Sequence, residues 1–284
     1  MSKFFCDTNS EISFEKAREL NINVIKMPYT IGDEMYFYDL GENTDIANFF
    51  DKMRKGASAK TQALNIGEYT EIFEPVFASG EDVLYVSFSH QMSGTFNSMQ
   101  LAINALKEKY PDRKFTVVDT ESISMGAGAI VEQCAKLHNS GASDEEVVAF
   151  MQEFKQKAKI YFTVSDLKYL VRGGRISAFS GAMGTLLDLK PLITCKEGKL
   201  SSIAKIKGRK KSLFALAEKL ISDGVDYNYP VIIMDADSKA DGDFLQSIVE
   251  KQNPEVTVLR QYIGPVVGAH CGPDTLGIVF VAKE

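Results

Sequence analysis

The stretch DVLYVSFSHQMSGTFNSMQLAINALKEKYPDRKFTVVD, residues 82–119, decides the fold of this chain. It opens and closes with compact apolar runs, DVLYVSF and KFTVVD, which are typical of strands buried on both faces in a parallel sheet. Between them, apolar side chains recur every three or four positions over residues 95–110, which indicates an amphipathic helix. Strand, helix and strand in this order predict a βαβ unit.

The same alternation extends to both sides of this unit. KFFC, residues 3–6, predicts a first strand, and the capping residues 7–10 after it precede a predicted helix. Two β runs around Gly32 and Asp33 predict a hairpin. Further helices are predicted at residues 45–56, 67–80, 127–141 and 143–158. The first half of the chain is therefore predicted to be a mostly parallel βαβ sheet.

The pattern changes near residue 158. Glycine and basic residues become more frequent, and turn signals as well as helices separate the apolar runs, which indicates a mixed or antiparallel sheet. We predict an α/β protein of two domains, residues 1–158 and 159–284, with helices in both. Because no low-complexity linker separates them, we expect the domains to pack tightly and to form a ligand cleft between them.

Length, composition and charge narrow the functional classes. The 284 residues are 45% hydrophobic and 25% charged, as in a packed soluble protein. The net charge of −6 gives no electrostatic reason to bind nucleic acid, or to contact a membrane more than transiently. No apolar run reaches the ~18 residues that span a bilayer, and the N-terminal stretch does not have the pattern of a secretory signal. A cytoplasmic protein is therefore expected.

The four cysteines are scattered along the chain, with no C-x-x-C pair and no histidine at ligand spacing. This pattern predicts neither a metal site nor a disulfide framework.

Ser93 lies where the predicted strand passes into the helix, in the sequence Met92-Ser93-Gly94-Thr95. A serine at a helix start either caps that helix or, together with the free backbone N–H groups there, holds an anion. A nucleophile elbow needs a glycine two residues before the serine, and that residue is Gln91. The sequence therefore favours a capping or binding serine over a catalytic one.

His270 lies in GPVVGAHCGPDTLG, residues 264–277, which contains several glycines and two prolines. We interpret this stretch as an irregular, immobile loop that holds the imidazole in one place for a ligand. A lone histidine is also commonly a surface residue or a satisfied core residue, and the sequence leaves both interpretations open.

Two basic motifs stand out in this acidic protein. In LVRGGRIS, Arg172 and Arg175 flank a glycine pair, which suits either carboxylate and phosphate binding or a helix end with solvated arginines. In KIKGRKKS, five cations form either a solvated face or a docking patch for an acidic or phosphate-carrying partner. These cations, the basic patch, are Lys205, Lys207, Arg209, Lys210 and Lys211.

Taken together and in order, these segments resemble the DegV family, whose members include the FakB-type bacterial fatty-acid-binding proteins. The resemblance covers residues 3–281 and rests on seven motifs. They are CDTNSEIS, Lys60-Thr61, Met92-Ser93-Gly94-Thr95, TVSDLKYLVRGGRIS, LLDLKPLI, KIKGRKKSL and IGPVVGAHCGPDTLGIVF. The resemblance implies a two-domain α/β protein that encloses one long-chain fatty acid between its domains and needs no cofactor.

The resemblance also implies where the ligand is held. The carboxylate is expected to contact Thr61, Ser93, Gly94 and His270, with Arg172 near the head group and the partner. That partner is expected to be a separate ATP-dependent kinase, which phosphorylates the bound carboxylate to an acyl-phosphate for lipid synthesis. The protein itself is then not an enzyme, and the basic patch is expected to contact the kinase.

The walls of the tail tunnel are less defined by the sequence. Small side chains leave room in SMGAGAIVEQ, residues 124–133, and in GAMGTLLDL, residues 181–189, so both are candidate tunnel walls. Two motifs also depart from the family pattern near the expected head group. Gln62 replaces a serine after Thr61, and Asp274 replaces the last glycine of the closing motif.

Two other functions stay open on the sequence alone. One is a serine-dependent acyl hydrolase or transferase that uses Ser93 and His270, with Asp274 as the acid that orients the histidine. The other is a regulatory protein in which a bound lipid is only structural.

Overall fold

The computed structural model describes residues 2–176 and 189–283. Its strands are β1 (Lys3–Asp7), β2 (Asn23–Ile25), β3 (Pro28–Ile31), β4 (Glu34–Phe37), β5 (Ala59–Thr61), β6 (Val83–Ser87), β7 (Phe115–Asp119), β8 (Ala158–Thr163), β9 (Leu189–Lys196), β10 (Lys199–Lys207), β11 (Val231–Asp235), β12 (Val258–Tyr262) and β13 (Leu276–Val281). Its α-helices are α1 (Phe14–Glu19), α2 (Ile46–Arg54), α3 (Ile66–Ala78), α4 (Thr95–Lys109), α5 (Ser124–Asn139), α6 (Asp144–Lys157), α7 (Lys168–Arg172), α8 (Arg209–Asp223), α9 (Lys239–Gln252) and α10 (Pro265–Cys271).

The first sheet is parallel throughout, with the strand order β2-β1-β6-β7. Strand β6, helix α4 and strand β7 form the predicted βαβ unit, and every residue of β6 is buried. A strand covered on both faces needs an apolar run without alternation, which is why the sequence signal was clear here.

Helix starts follow local capping signals. At the start of α6, Ser143 Oγ accepts a hydrogen bond from the Glu146 backbone N–H at 3.2 Å, and Glu146 Oε2 accepts one from the Ser143 N–H at 2.8 Å. Asn65 and Glu68 form the same reciprocal pair at the start of α3. Each pair satisfies N–H groups that the first helical turn leaves without partners.

The predicted hairpin around Gly32 is confirmed as the antiparallel pair β3–β4, which joins β5 in a three-stranded sheet. The run before the hairpin is divided, because β2 belongs to the parallel sheet instead. The break falls where the Met27 N–H is donated to Thr8 Oγ1, at 3.1 Å, and where Pro28 has no N–H to donate.

The second large sheet has the order β10-β9-β8-β13-β11-β12 and is mixed, since β11 and β12 are parallel and its other pairs are antiparallel. Helices α8 and α9 bury leucines against it, among them Leu213, Leu216 and Leu245. The α/β class with one parallel and one mixed sheet is therefore as predicted. The division into two domains at residue 158 remains a proposal.

Polar contacts join segments far apart in the chain. Glu11 is buried, and its Oε1 accepts a hydrogen bond from the Gly264 N–H at 2.5 Å, at the start of α10. At the end of α2, Arg54 pairs with Asp237 and with Asp274, the latter through Nη2 and Oδ1 at 2.8 Å. These contacts hold α10 and the loop after it against the first half of the chain.

Residues 265–271 form helix α10, so the prediction of an irregular loop around His270 was wrong. Pro265 occupies the first helical position, where its missing N–H costs nothing and its fixed φ favours the helix. Gly268 allows close packing, since a Cβ there would lie 2.7 Å from the Phe50 ring. The helix ends at Gly272, whose φ is +80°.

Candidate functional site

A cavity with about 780 Å³ of empty space, part of it open to solvent, is lined by residues from both halves of the chain. Most of the lining side chains are apolar, among them Met27, Phe88, Phe162, Leu170, Met234 and Val266. The cavity therefore suits a ligand that is largely hydrocarbon.

Thr61 and His270 meet at one part of the cavity wall. Thr61 lies on β5, which pairs with β3, and His270 lies on α10. Their side chains are hydrogen-bonded, with 2.8 Å between Thr61 Oγ1 and His270 Nε2. The ring also packs against Gly173, where a Cβ would lie 2.4 Å from His270 Nδ1, so a larger residue at 173 would displace the imidazole.

The His270 imidazole is neutral at ordinary pH. Burial, followed by the nearby cations Arg175 and Arg172, lowers its pKa from 6.5 to about 4. A neutral imidazole carries one N–H. If Nε2 carries it and donates to Thr61, the threonine hydroxyl proton is left to donate to a ligand. The opposite ring nitrogen, Nδ1, is buried and has no hydrogen-bond partner among the residues that the structure describes.

This buried neutral histidine predicts an acid-sensitive stability in the lipid-free protein. In the unfolded chain, His270 binds a proton as the pH falls below about 6.5, whereas in the folded protein it stays neutral until about pH 4. Protonation therefore favours the unfolded state, and the free energy of unfolding should fall as the pH drops through this window. The difference between the two pKa values of His270 corresponds to a loss of about 3 kcal/mol in the free energy of unfolding.

We expect His270→Gln to lose that part of the pH dependence, as measured by urea unfolding at pH 7, 6, 5 and 4. The carboxylates and the other histidines contribute equally to both proteins. Parallel curves for wild type and variant would contradict a neutral, buried His270.

Arg175 is the cation of the cavity wall. It follows α7 after the glycine pair, and its Nε donates to the Met92 carbonyl at 3.2 Å, while its Nη1 donates to the Gly173 carbonyl. It is half-buried, and burial lowers its pKa. Within residues 2–176 and 189–283 it has no carboxylate partner. A cation removed from water without a counter-ion is costly, so an anionic group in the cavity would stabilise it.

Ser93 and Gly94 lie at the start of α4. Ser93 lines the cavity, and its Oγ accepts a hydrogen bond from the Thr95 N–H at 3.2 Å, so it caps the helix while its own hydroxyl proton stays available. Gly94 lines a wider groove beside the cavity, which shares Met92, Ser93 and Arg175 with it. Of the two, only Ser93 reaches the cavity wall.

Arg172, the arginine that the resemblance placed near the head group, is exposed at the end of α7 and does not line the cavity. Its guanidinium lies 5.4 Å from the centre of the Tyr169 ring. Its charge still acts on His270. Gly173 is the C-cap of α7. This agrees with the alternative interpretation of LVRGGRIS as a helix end with solvated arginines.

The basic patch is divided by the structure. Lys205, Lys207, Lys210 and Lys211 are exposed. Arg209 is not a free docking cation, because its Nε pairs with Asp241 at 2.8 Å and its Nη2 donates to the Asp274 carbonyl at 2.6 Å. We therefore attribute to Arg209 a role in holding the loop after α10.

The groups needed for serine catalysis are not connected. Ser93 is hydrogen-bonded to a backbone N–H, His270 to Thr61, and Asp274 to Arg54. In the described part of the chain, no carboxylate reaches His270 Nδ1 to orient the ring as a triad requires. This geometry gives no support to a hydrolase.

Sequence reasoning located part of the cavity wall. Ser124, from the first candidate tunnel segment, lines the cavity, whereas Gly126 and Gly128 pack against neighbouring backbone and side chains instead. Most of the second candidate segment, residues 181–188, lies outside the described residues. Arg175 was named as a possible anion-binding residue but was not included in the predicted head-group site. The apolar residues Met27, Phe162 and Met234 were missed, because nothing in a buried strand or loop distinguishes a cavity wall from solid core.

The described residues contain no helix that is long and apolar enough to cross a membrane. No group of histidine, cysteine and acidic side chains among them is placed to hold a metal ion.

Comparisons with known proteins agree over the whole length. The model of the DegV family matches residues 2–283. A DegV domain-containing protein of Clostridium perfringens is 35% identical over 285 residues, covering 99% of this chain and 98% of that protein. A solved DegV lipid-binding protein of Thermotoga maritima is 27% identical, with a TM-score of 0.83, and the match covers 100% of this chain and 99% of that one. DegV of Bacillus subtilis, solved as a fatty-acid-binding protein, is 26% identical, with a TM-score of 0.84 and coverages of 99% and 98%.

The fold and site define an α/β protein with one parallel and one mixed sheet, whose largely apolar cavity has Thr61, Ser93, Arg175 and His270 among the polar residues of its wall. Because the family model matches nearly every residue, the chain belongs to the DegV family, as its sequence motifs predicted.

Proposed function

We propose that this protein binds one long-chain fatty acid in the cavity and presents its carboxylate to a separate ATP-dependent kinase. The observation that carries the proposal is the half-buried Arg175, which lacks a carboxylate partner among the described residues and lines an otherwise largely apolar cavity. A fatty acid supplies both missing elements, an anion for the arginine and hydrocarbon for the apolar walls. The lipid and fatty acid ligands of the Thermotoga maritima and Bacillus subtilis relatives support the same ligand class.

The tail provides most of the affinity in this proposal. A 16-carbon chain has about 14 methylenes, and burial of each contributes about 0.8 kcal/mol, or roughly 11 kcal/mol together. A hydrogen bond to the charged head contributes only about 1.5–3 kcal/mol net. The polar side chains therefore determine which end of the ligand lies where, more than how tightly it is held.

The head group is assigned to Thr61, Ser93, Arg175 and His270, with the Gly94 backbone beside them. Two hydroxyls donate to the carboxylate, and Arg175 neutralises it. The neutral His270 fixes the Thr61 hydroxyl through their hydrogen bond, without adding a second charge. A carboxylate held in this way keeps a nucleophilic oxygen, which the kinase requires to form an acyl-phosphate from ATP. Phosphoryl transfer itself is the kinase's chemistry.

The proposal is tested in two steps. Native mass spectrometry of the purified protein, followed by extraction, should give one long-chain acid per chain, and the delipidated protein should rebind palmitate. With a bacterial fatty acid kinase and ATP, the bound acid should then yield acyl-phosphate, trapped by hydroxylamine as the hydroxamate. Failure to bind any long-chain acid contradicts the binding step, whereas binding without phosphorylation favours a regulatory protein with structural lipid.

The exposed lysines of the basic patch are proposed to contact the kinase. We expect Lys207→Glu, Lys210→Glu and Lys211→Glu together to raise the KM for the loaded protein about tenfold, since like charges would then face an acidic partner, with little change in kcat.

The matched control reverses three exposed lysines elsewhere, Lys26, Lys107 and Lys251. Both triple variants should retain their lipid by mass spectrometry. Equal KM values for the two variants would remove the patch from the interface.

A further inference from the structure

The cavity contains polar side chains that the proposed head-group site does not use. Besides Thr61, Ser93, Arg175 and His270, its wall includes Asn9, Gln62, Ser124 and Thr275, of which Gln62 is exposed. Thr275 is accounted for, because its hydroxyl donates to the Cys271 carbonyl at 2.9 Å. Asn9 and Ser124 are not accounted for in this way.

Asn9 is held in one orientation by a buried carboxylate. Its Nδ2 and its backbone N–H both donate to Asp7 Oδ1, at 2.8 and 2.9 Å. Asp7 is itself fixed by the Tyr85 hydroxyl, at 2.7 Å from Oδ2. Because the amide nitrogen must face Asp7, the amide oxygen of Asn9 points the other way.

That oxygen is an acceptor without a donor. Asn9 is only 6% exposed and lines the cavity. No group in residues 2–176 or 189–283 donates a hydrogen bond to its Oδ1. Because Asn9 lines the cavity, a donor on a ligand inside it can pair with this oxygen.

Ser124 lines the same cavity as Asn9, and its helix packs against the residues that follow Asn9. The first turns of α5 lie against residues 10–12, since a Cβ on Gly128 would be 2.5 Å from the Ser10 carbonyl oxygen. Ser124 Oγ is hydrogen-bonded to Glu11 Oε2. The serine hydroxyl donates to this carboxyl oxygen, and it also lies 3.3 Å from Met125 Sδ. Its proton is therefore used within the protein, whereas its oxygen can accept a hydrogen bond from a ligand.

We propose that Asn9 and Ser124 form a second polar subsite, which recognises a hydroxyl group on the acyl chain. Asn9 Oδ1 and Ser124 Oγ both face the ligand as acceptors, so a hydroxyl on the acyl chain can donate its proton to either of them. A methylene at this position donates no hydrogen bond. The inference rests on the proposed function and narrows it: the preferred ligands are long-chain acids that carry a hydroxyl along the chain.

The test compares octadecanoic acid with a series of monohydroxy-octadecanoic acids that differ in the position of the hydroxyl, using delipidated protein. An apolar cavity would bind every hydroxylated acid more weakly than the parent, because the hydroxyl loses its water. We expect one position or a narrow range of positions to bind about tenfold more tightly than octadecanoic acid, with the remaining isomers weaker.

Two variants assign this preference to the subsite. Asn9→Leu replaces the amide with an apolar group of similar size, and Ser124→Gly removes the hydroxyl at a residue whose φ of +50° glycine adopts readily. Either variant should abolish the preference for the favoured isomer while binding octadecanoic acid as well as wild type does. Thermal unfolding shows which variants remain folded. If Asn9→Leu does not fold, Ser124→Gly tests the proposal alone.

Three outcomes are informative. Equal weakening of every hydroxylated acid in wild type and variants would overturn the subsite. Loss of octadecanoic acid binding in a folded Asn9→Leu would instead place Asn9 at the carboxylate and also overturn it. Failure of the wild type to bind any of these acids would contradict the proposed function itself.

Discussion

Replacing Thr61 by valine and Ser93 by alanine is expected to lower kinase-dependent acyl-phosphate formation about 100-fold while the protein stays folded and loaded. Each hydroxyl is assigned one hydrogen bond to the carboxylate, worth at least about 1.5 kcal/mol, and about 1.4 kcal/mol corresponds to tenfold in rate. The acyl tail contributes several times more than both bonds together, so the ligand should remain bound with its head group misplaced.

Three measurements separate this result from general damage. Mass spectrometry gives the lipid content, urea unfolding gives the stability, and hydroxamate trapping gives the rate. The matched control, Thr116→Val with Ser98→Ala, removes the same two kinds of hydroxyl from residues outside the cavity lining. Full activity of the Thr61 and Ser93 variant would count against the head-group assignment, and so would an equal loss in the control.

Gly272→Ala is expected to destabilise the protein by about 3 kcal/mol, from two separate causes. The φ of +80° costs a non-glycine residue about 1–2 kcal/mol, and forcing an extra carbon into a packed site costs about 1–3 kcal/mol more. The added Cβ would lie 2.2 Å from Cδ2 of Tyr169, a buried ring on α7. Since α7 and α10 both contribute cavity residues, ligand binding should weaken as well.

Gly174→Ala is the matched control for this substitution. Gly174 also has a positive φ, +69°, but no atom of the described residues would lie within 4 Å of a Cβ there. We expect Gly174→Ala to lower the free energy of unfolding in urea by only about 1 kcal/mol, because it carries the cost of the positive φ without the cost of a steric clash. Equal losses at the two positions would show that the contact with Tyr169 does not limit the packing of α7 on α10.

Local signals predicted most of the fold. The βαβ unit of residues 82–119 and the capping pair Ser143–Glu146 each depend on residues within a few positions, which a sequence displays directly. Helix α10 was missed for a related reason. Its glycines and proline indicate a loop when read singly, whereas Pro265 begins the helix and Gly268 serves its contact with α2.

The candidate site was less predictable from local pattern. Thr61 and His270 were singled out together only through the family resemblance, because a threonine after a turn and a lone histidine have ordinary explanations. Which of Arg172 and Arg175 faces the cavity depends on how the chain turns at the end of α7, which the sequence does not specify. Asn9 was interpreted as a capping residue, and its free oxygen became apparent only from the bonds to Asp7.

The hydrogen bond between Thr61 and His270 joins positions 209 residues apart. During synthesis, the ribosome therefore releases Thr61 and Ser93 long before the imidazole that completes the pair. Helix α10 begins at Pro265, so the part of the cavity wall that it forms is among the last to be made. A chain that stops before α10 lacks Val266, Val267 and His270 of the cavity wall, so we expect its cavity to stay open on that side.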